Sequence, residues 1–305
     1  MITYGEDRDM SMLTLCSDDG YNSPVPQTPR SINLDPGLTT HAHDLEAQLS
    51  NLPRSDRWPA FFYQEVSHDI LLEVELLILS FATGILDATT FPLYNVFVSK
   101  QTGNTVLLAL AALSNKVVQT EPNVGVSIGM FFAGSAIFGH LGNWLGQKRR
   151  IWLLLTNVMQ TALVFAAAAL RFWGSDETRG PYALGVIALL GLACGGQISL
   201  ALCVRMPELN TTMVTGALVQ FAVDDKLFQK NNSARNRRVA FYFSVLGGAF
   251  VGATASRFVS PTLGILLVAI LKTFVTVLFF FNSHKPLKAR QYLTESPHVM
   301  VLFGD

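Results

Sequence analysis

The sequence predicts an all-α polytopic membrane protein with six full transmembrane helices and two short re-entrant or broken helices. Three observations carry that prediction. Half of the 305 residues are hydrophobic and only 14% are charged, whereas soluble domains run nearer a quarter charged. The apolar residues gather into runs of about 20, the length a helix needs to cross ~30 Å of hydrocarbon. Two shorter apolar runs occupy matching places in the two halves, the pattern of an inverted internal repeat.

The chain begins with a different composition. Residues 1–66 hold ten acids against four arginines and six of the thirteen prolines. A segment with so little to bury stays disordered, so an acidic, disordered cytoplasmic tail is expected. Within it His41–Leu52 has a weak helical period, and Ser23-Pro24 and Thr28-Pro29-Arg30 resemble proline-directed phosphorylation sites. No part of 1–60 is long and apolar enough for a signal-peptide core, so the first span is expected to act as its own membrane signal. The transmembrane domain is expected over 67–284, with repeat one at about 71–172, repeat two at about 182–283, and a short cytoplasmic tail at 285–305.

Full spans are read at 71–92, 124–146, 151–172, 182–204, 239–258 and 262–281, and the short runs are 102–114 and 211–223. In the first span, Glu73 and Glu75 are expected near the water interface. At a constant offset of 113 residues, Thr102-Gly103 falls on Thr215-Gly216, Gly134 on Gly247, and Gly139 on Gly252. With the offset one shorter, Thr83-Gly84 falls on Gly195-Gly196. The charges then separate the halves. Loop 115–123 has one base where its equivalent 224–238 has five, and Gln147–Arg150 has three where 260–263 has none. Equivalent loops of opposite charge character belong on opposite sides of the membrane, which requires an odd number of crossings per repeat.

The positive-inside bias places both termini in the cytoplasm, with fourteen Lys and Arg on inside segments and five outside. If the short segments also crossed, the split would be about thirteen to six, so the count alone does not choose. In the six-span arrangement neither sequon, Asn210-Thr211-Thr212 or Asn231-Asn232-Ser233, should carry glycan.

The short segments carry the most chemistry. Each reads as extended residues, then Thr-Gly, then a helix: Thr102, Gly103 and Asn104 in the first half, Thr215 and Gly216 in the second. A helix that begins inside a bilayer presents unpaired N–H groups and partial positive charge. Such starts bind anions or polar solutes, so these five residues are the candidate substrate site. A capped interfacial helix, with glycine for packing, is the competing explanation. Asp87 lies inside the first span and Lys272 near the middle of the last. Each must pair, reach water or lose its charge, and an Asp87–Lys272 ion pair is the expectation that satisfies both. His140, Asn143, Asn157, Gln160, Gln197 and Gln220 are expected to be interhelical glue or interface residues. Gly125, Gly129, Gly134, Gly139, Gly142 and Gly146 form a ladder for close helix packing, which also leaves room for a homo-oligomer.

Other classes find no support. The three cysteines (Cys16, Cys194, Cys203) cannot build a disulfide framework or a metal cluster. There is no Gly-x-Ser-x-Gly, His-Glu-x-x-His, CxxC or phosphate loop, so neither an enzyme nor a cofactor is expected. No continuous basic face exists for nucleic acid; the expected partners are the lipid bilayer and a small polar solute.

Segment 81–110 contains Thr83-Gly84-Ile85-Leu86-Asp87-Ala88, then Phe97-Val98, then Thr102-Gly103-Asn104-Thr105. It resembles the YoaK-like integral membrane family, domain of unknown function 1275. That family also carries a later Asn-Thr-Thr-x-x-Thr-Gly-like element, matched here by Asn210 to Gly216. The resemblance covers roughly 70–282 and implies about six spans and no assigned activity. Bacterial members are compact, so the acidic tail looks like the N-terminal extension of a fungal-type member. The expected function is a secondary transporter or permease for a small polar or anionic solute, with the half-helix starts as site and Asp87 as proton or cation coupler. The alternative is a non-transporting membrane adaptor whose phosphorylatable tail recruits partners.

Overall fold

Asp69 opens the first long helix by accepting a hydrogen bond from the Leu72 N–H at 3.0 Å, the side-chain cap that an unpaired first turn needs. Among the described residues, eight helices follow from Ile70 onward: α1 (Ile70–Tyr94), α2 (Gln101–Leu113), α3 (Glu121–Leu145), α4 (Arg150–Trp173), α5 (Pro181–Cys203), α6 (Val214–Ala222), α7 (Ser233–Phe258) and α8 (Pro261–Leu278). The computed structural model describes residues 61–62, 64, 66, 69–113, 121–147, 149–174, 177–204 and 214–282. The His41–Leu52 helix, the phosphorylation dipeptides, Cys16, Asn210 to Met213 and the C-terminal tail lie outside them.

Capping and turn chemistry set the other boundaries. Asn232 and Ser260 accept from the Arg235 and Leu263 N–H groups at 2.9 and 3.2 Å. Pro181 and Pro261 sit in the first turns of α5 and α8, where a missing N–H costs nothing. Asn95 ends α1 in the left-handed region at φ 53°, a conformation asparagine tolerates better than most residues.

Five helices (α3 from Pro122, α4, α5, α7 and α8) are long and apolar enough to cross a membrane. The first is not among them; its 25 residues include Glu73, Glu75 and Asp87. In its most apolar stretch α5 is 72% buried, against 28% for α3 and 22% for α7. The bundle is therefore built around α5, while α3 and α7 turn Phe132, Trp144, Phe243 and Phe250 outward. Apolar exposure on that scale, along helices of that length, is a lipid-facing surface.

Two helix pairs, α3 with α5 and α1 with α7, dominate the packing; α4 and α8 lie against each other and against α5 and α1 respectively. The short helices pack outside these pairs, α2 on α3 and α6 on α7. Glycine makes the close approaches. A Cβ on Gly195 would strike the Phe131 carbonyl and lie 2.7 Å from the Ser135 nitrogen, and one on Gly84 would strike the Val245 carbonyl and lie 2.8 Å from the Ala249 nitrogen. Gly134 meets Leu192 and Gly248 meets Phe81 in the same way. The expected ladder is only partly used, since Gly125 and Gly129 meet nothing within 4 Å. At about 100° per residue, Gly125 sits half a turn around α3 from Gly134 and Gly129 about 140° away.

Polar contacts sort the helix ends. Arg237 pairs with Glu73 at 2.9 Å, Asn282 donates to Glu75 at 2.7 Å, and Arg150 donates to the Asn282 carbonyl. The starts of α1, α4 and α7 thus share one end with the finish of α8. At the other end Asn123 donates to the Tyr94 and Thr178 carbonyls, both at 3.2 Å, joining the finish of α1 to the starts of α3 and α5. Gly264 packs on Thr89 there too. The six long helices therefore alternate in direction along the chain. Because Tyr94 and Asn123 share one end, α2 leaves and returns on the same side; by the same geometry α6 belongs to the opposite end.

Candidate functional site

Asp87 is 7% exposed, and the chain returns to it after α1 has ended. After Asn95, residues 96–100 run back as non-helical chain with Val96 and Val98 fully buried. Tyr94 lies seven residues beyond Asp87, so this segment travels roughly 10 Å into the bundle. At its foot the Ser99 N–H donates to Asp87 Oδ1 at 3.2 Å, the Ser99 hydroxyl donates to Oδ2 at 2.5 Å, and the Lys100 ammonium stands 3.3 Å from Oδ2. The carboxylate lies just before the first residue of α2, where helix N-termini favour negative charge. The protein's own aspartate thus stands beside the anion-seeking start read from the sequence, bonded to the Ser99 N–H two residues before it.

A non-helical segment inside a bundle leaves backbone groups that no helix satisfies. Asn104, fully buried, answers this for Phe97. Its Oδ1 accepts the Phe97 N–H at 3.0 Å, and its Nδ2 donates to the Phe97 carbonyl at 2.5 Å and to Ser127 Oγ at 3.1 Å. Asn104 is therefore a clamp on the break. Thr102 is exposed, and Gly103 is half-buried beside the Phe97 ring. In the second half Thr215 is exposed and Gly216 borders open space. The two starts lie on different neighbours, α3 and α7.

The expected Asp87–Lys272 ion pair does not form. Asp87 pairs with Lys100, which follows it closely in sequence, and the Lys272 ammonium donates instead to Gln160 Oε1 at 2.8 Å. Lys272 is 1% exposed, in the α4–α8 interface, where Asn157 donates to the Lys272 carbonyl at 3.1 Å and to Thr276 Oγ1 at 2.6 Å. Gln197 also bridges helices, donating to Thr83 Oγ1 at 2.8 Å, whereas His140, Asn143 and Gln220 are exposed. Among the described residues no cluster of His, Cys, Asp or Glu could hold a metal ion.

Sequence reasoning missed Lys100, which reads as an outside-loop charge. It stands directly before the Gln101 helix start, and the extended residues ahead of it were the signal that it could fold back. It also missed Glu75, which is fully buried rather than interfacial. Nothing local distinguishes Glu75 from Glu73; α4 and the chain after α8 cover one and leave the other.

Residues 76–278 match the family described as "Protein of unknown function (DUF1275)". No curated protein matches the chain, and no solved structure does. The matched stretch holds the Asp87 element, the chain break and Lys272, and it covers most of the chain, which therefore belongs to the DUF1275 family.

Proposed function

We propose that the protein is a permease for a small polar or anionic solute, with Asp87 as its proton or cation coupler and Lys100 as the counter-charge. The observation that carries this reading is the buried Asp87 carboxylate, clasped by Ser99 and Lys100 of a chain break within the bundle. Intramembrane carboxylates are costly and serve solute or ion pathways. A proton or cation on Asp87 weakens its hold on Lys100 and Ser99. The break then moves, and the N–H groups at Thr102 and Gly103 become available to a solute.

In this reading α1 crosses with the other five long helices, and the two halves are inverted repeats. Exchanging the halves turns the α3–α5 pair into α7–α1 and the α4–α5 contact into α8–α1, and it turns α2 on α3 into α6 on α7; each of these is observed. The glycine contacts support the same exchange. Gly195 against Phe131 and Ser135 corresponds to Gly84 against Val245 and Ala249, and Gly134 against Leu192 to Gly248 against Phe81. These correspondences are one residue away from the register read along the sequence. Arg149, Arg150, Lys226, Lys230, Arg235, Arg237 and Arg238 belong to one end, and Arg171, Arg179 and Arg257 to the other, while Lys100 lies inside the bundle. The first end, where α1 starts and α8 finishes, is cytoplasmic by the positive-inside bias.

The test is reconstitution of the full chain in proteoliposomes with an internal pH dye, screened against small polar and anionic solutes. A solute-dependent proton flux that Asp87→Asn abolishes is expected. A well-folded wild type that moves no member of the panel, with or without a proton or sodium gradient, overturns the reading. Single cysteines in 115–123 and 224–238 should label from opposite faces; labelling from one face removes the inverted repeat.

A further inference from the structure

We propose that Lys272 and Gln160 form a binding site for a small monovalent anion, buried between α4 and α8 and separate from the Asp87–Lys100 pair. Hydrogen-bond donors outnumber acceptors at this point. An ammonium has three N–H groups; Lys272 donates one to Gln160 Oε1, and no ion pair to Lys272 occurs among the described residues. Gln160 is itself fully buried, and its Nε2, on the same amide carbon as Oε1 and hence beside the ammonium, has no hydrogen-bond partner. The nearby amide of Asn157 does not correct the imbalance. Its Nδ2 is committed to the Lys272 carbonyl and Thr276, and its Oδ1 accepts nothing.

The charge count points the same way. Asp87 and Lys100 neutralise each other at 3.3 Å. Lys272 therefore stands as a buried cation with one neutral amide oxygen for company. A buried charge needs a counter-charge and filled hydrogen bonds. A single small anion accepting from Lys272 Nζ and Gln160 Nε2 supplies both. The site stands whether or not the chain moves a solute.

The experiment is thermal unfolding of the purified full chain in chloride-free gluconate buffer, titrated with sodium chloride or sodium bromide at constant ionic strength. The wild type should show a saturable rise in midpoint with both halides. Lys272→Met should remove that rise while the protein stays folded, and Gln160→Leu should weaken the apparent affinity by about tenfold, one charge-assisted hydrogen bond. If Lys272→Met does not fold, crystals of the wild type grown with bromide decide: anomalous density beside Lys272 Nζ supports the site, and its absence overturns it. A wild-type midpoint indifferent to halide, or a rise kept in both variants, also overturns it. Halide binding without any flux would leave this site standing and count against the permease; flux without halide binding would do the reverse.

Discussion

Asp87 and Lys272 are both charges held inside the same bundle, yet they are accommodated in opposite ways. Asp87 gains a lysine, a hydroxyl and a backbone N–H, all from residues that reach it within one local excursion of the chain. Lys272 gains one amide oxygen from a different helix. The difference teaches where a buried charge belongs to a device and where it waits for a ligand. A fully partnered pair loses stability when either partner is removed, whereas a lone cation loses little when replaced by an apolar side chain.

That contrast is most sharply broken at Lys100. Lys100→Met leaves the Asp87 carboxylate buried without its cation and should cost about 3 kcal/mol, the low end for a broken buried pair because Lys100 itself is partly exposed. Unfolding in mixed detergent measures it, and the double variant Asp87→Asn/Lys100→Met should regain most of the loss. If Lys100→Met is as stable as wild type, the pair does not hold the break. Asn104→Ala strips the Phe97 N–H of its acceptor, leaves the Phe97 carbonyl with the Ser127 hydroxyl alone, and should cost about 2 kcal/mol. Hydrogen exchange at Phe97 should accelerate while α5 stays protected; uniform acceleration would show that the clamp is global.

Lys272→Met sharpens the comparison from the other side. In halide-free buffer it should be within about 1 kcal/mol of wild type or more stable, opposite in sign to Lys100→Met. A loss matching that of Lys100→Met would mean that both charges are structural. At the bundle end, Glu73→Gln should change stability by less than about 1 kcal/mol, since its pair with Arg237 is half-solvated.

The smallest effect is expected at Asp224, outside the spans. The Asn232 amide, then the Lys226 N–H and Arg238, hold its carboxyl below the usual carboxylate range. Its stabilisation is therefore present above about pH 4 and lost as pH falls through the depressed folded value. Asn232→Ala should move the titration back toward the ordinary value, read by carboxyl NMR, beside a separate loss of about 1 kcal/mol from the α7 cap that it also removes.

Much of this was legible in residues alone. The long apolar runs at 124–146, 151–172, 182–204, 239–258 and 262–281 became long helices because lipid-length segments must satisfy their own backbone. The Thr-Gly starts of α2 and α6 were readable from cap-forming residues beside glycine. The roles inside the site were less so. Asn104 reads as a ligand until Phe97 is seen folded against it, and Lys100 reads as a loop charge until the break turns inward. The glycine ladder of α3 reads as one face, although the helical period carries Gly125 and Gly129 around to open space.

What the sequence by itself determined is the class of protein: the number and length of apolar segments, the charge asymmetry of their loops, and the residues that cannot lie in lipid without a reason. Those follow from local composition and from the cost of bare polar groups in hydrocarbon. Only the tertiary structure decided the partners, placing Lys100 rather than Lys272 on Asp87 and Gln160 on Lys272, and covering Glu75 while leaving Glu73 at the rim. A partner is a matter of distance between elements far apart in the chain. That distance is set by helix packing, where a single glycine contact shifts the register that sequence spacing implies.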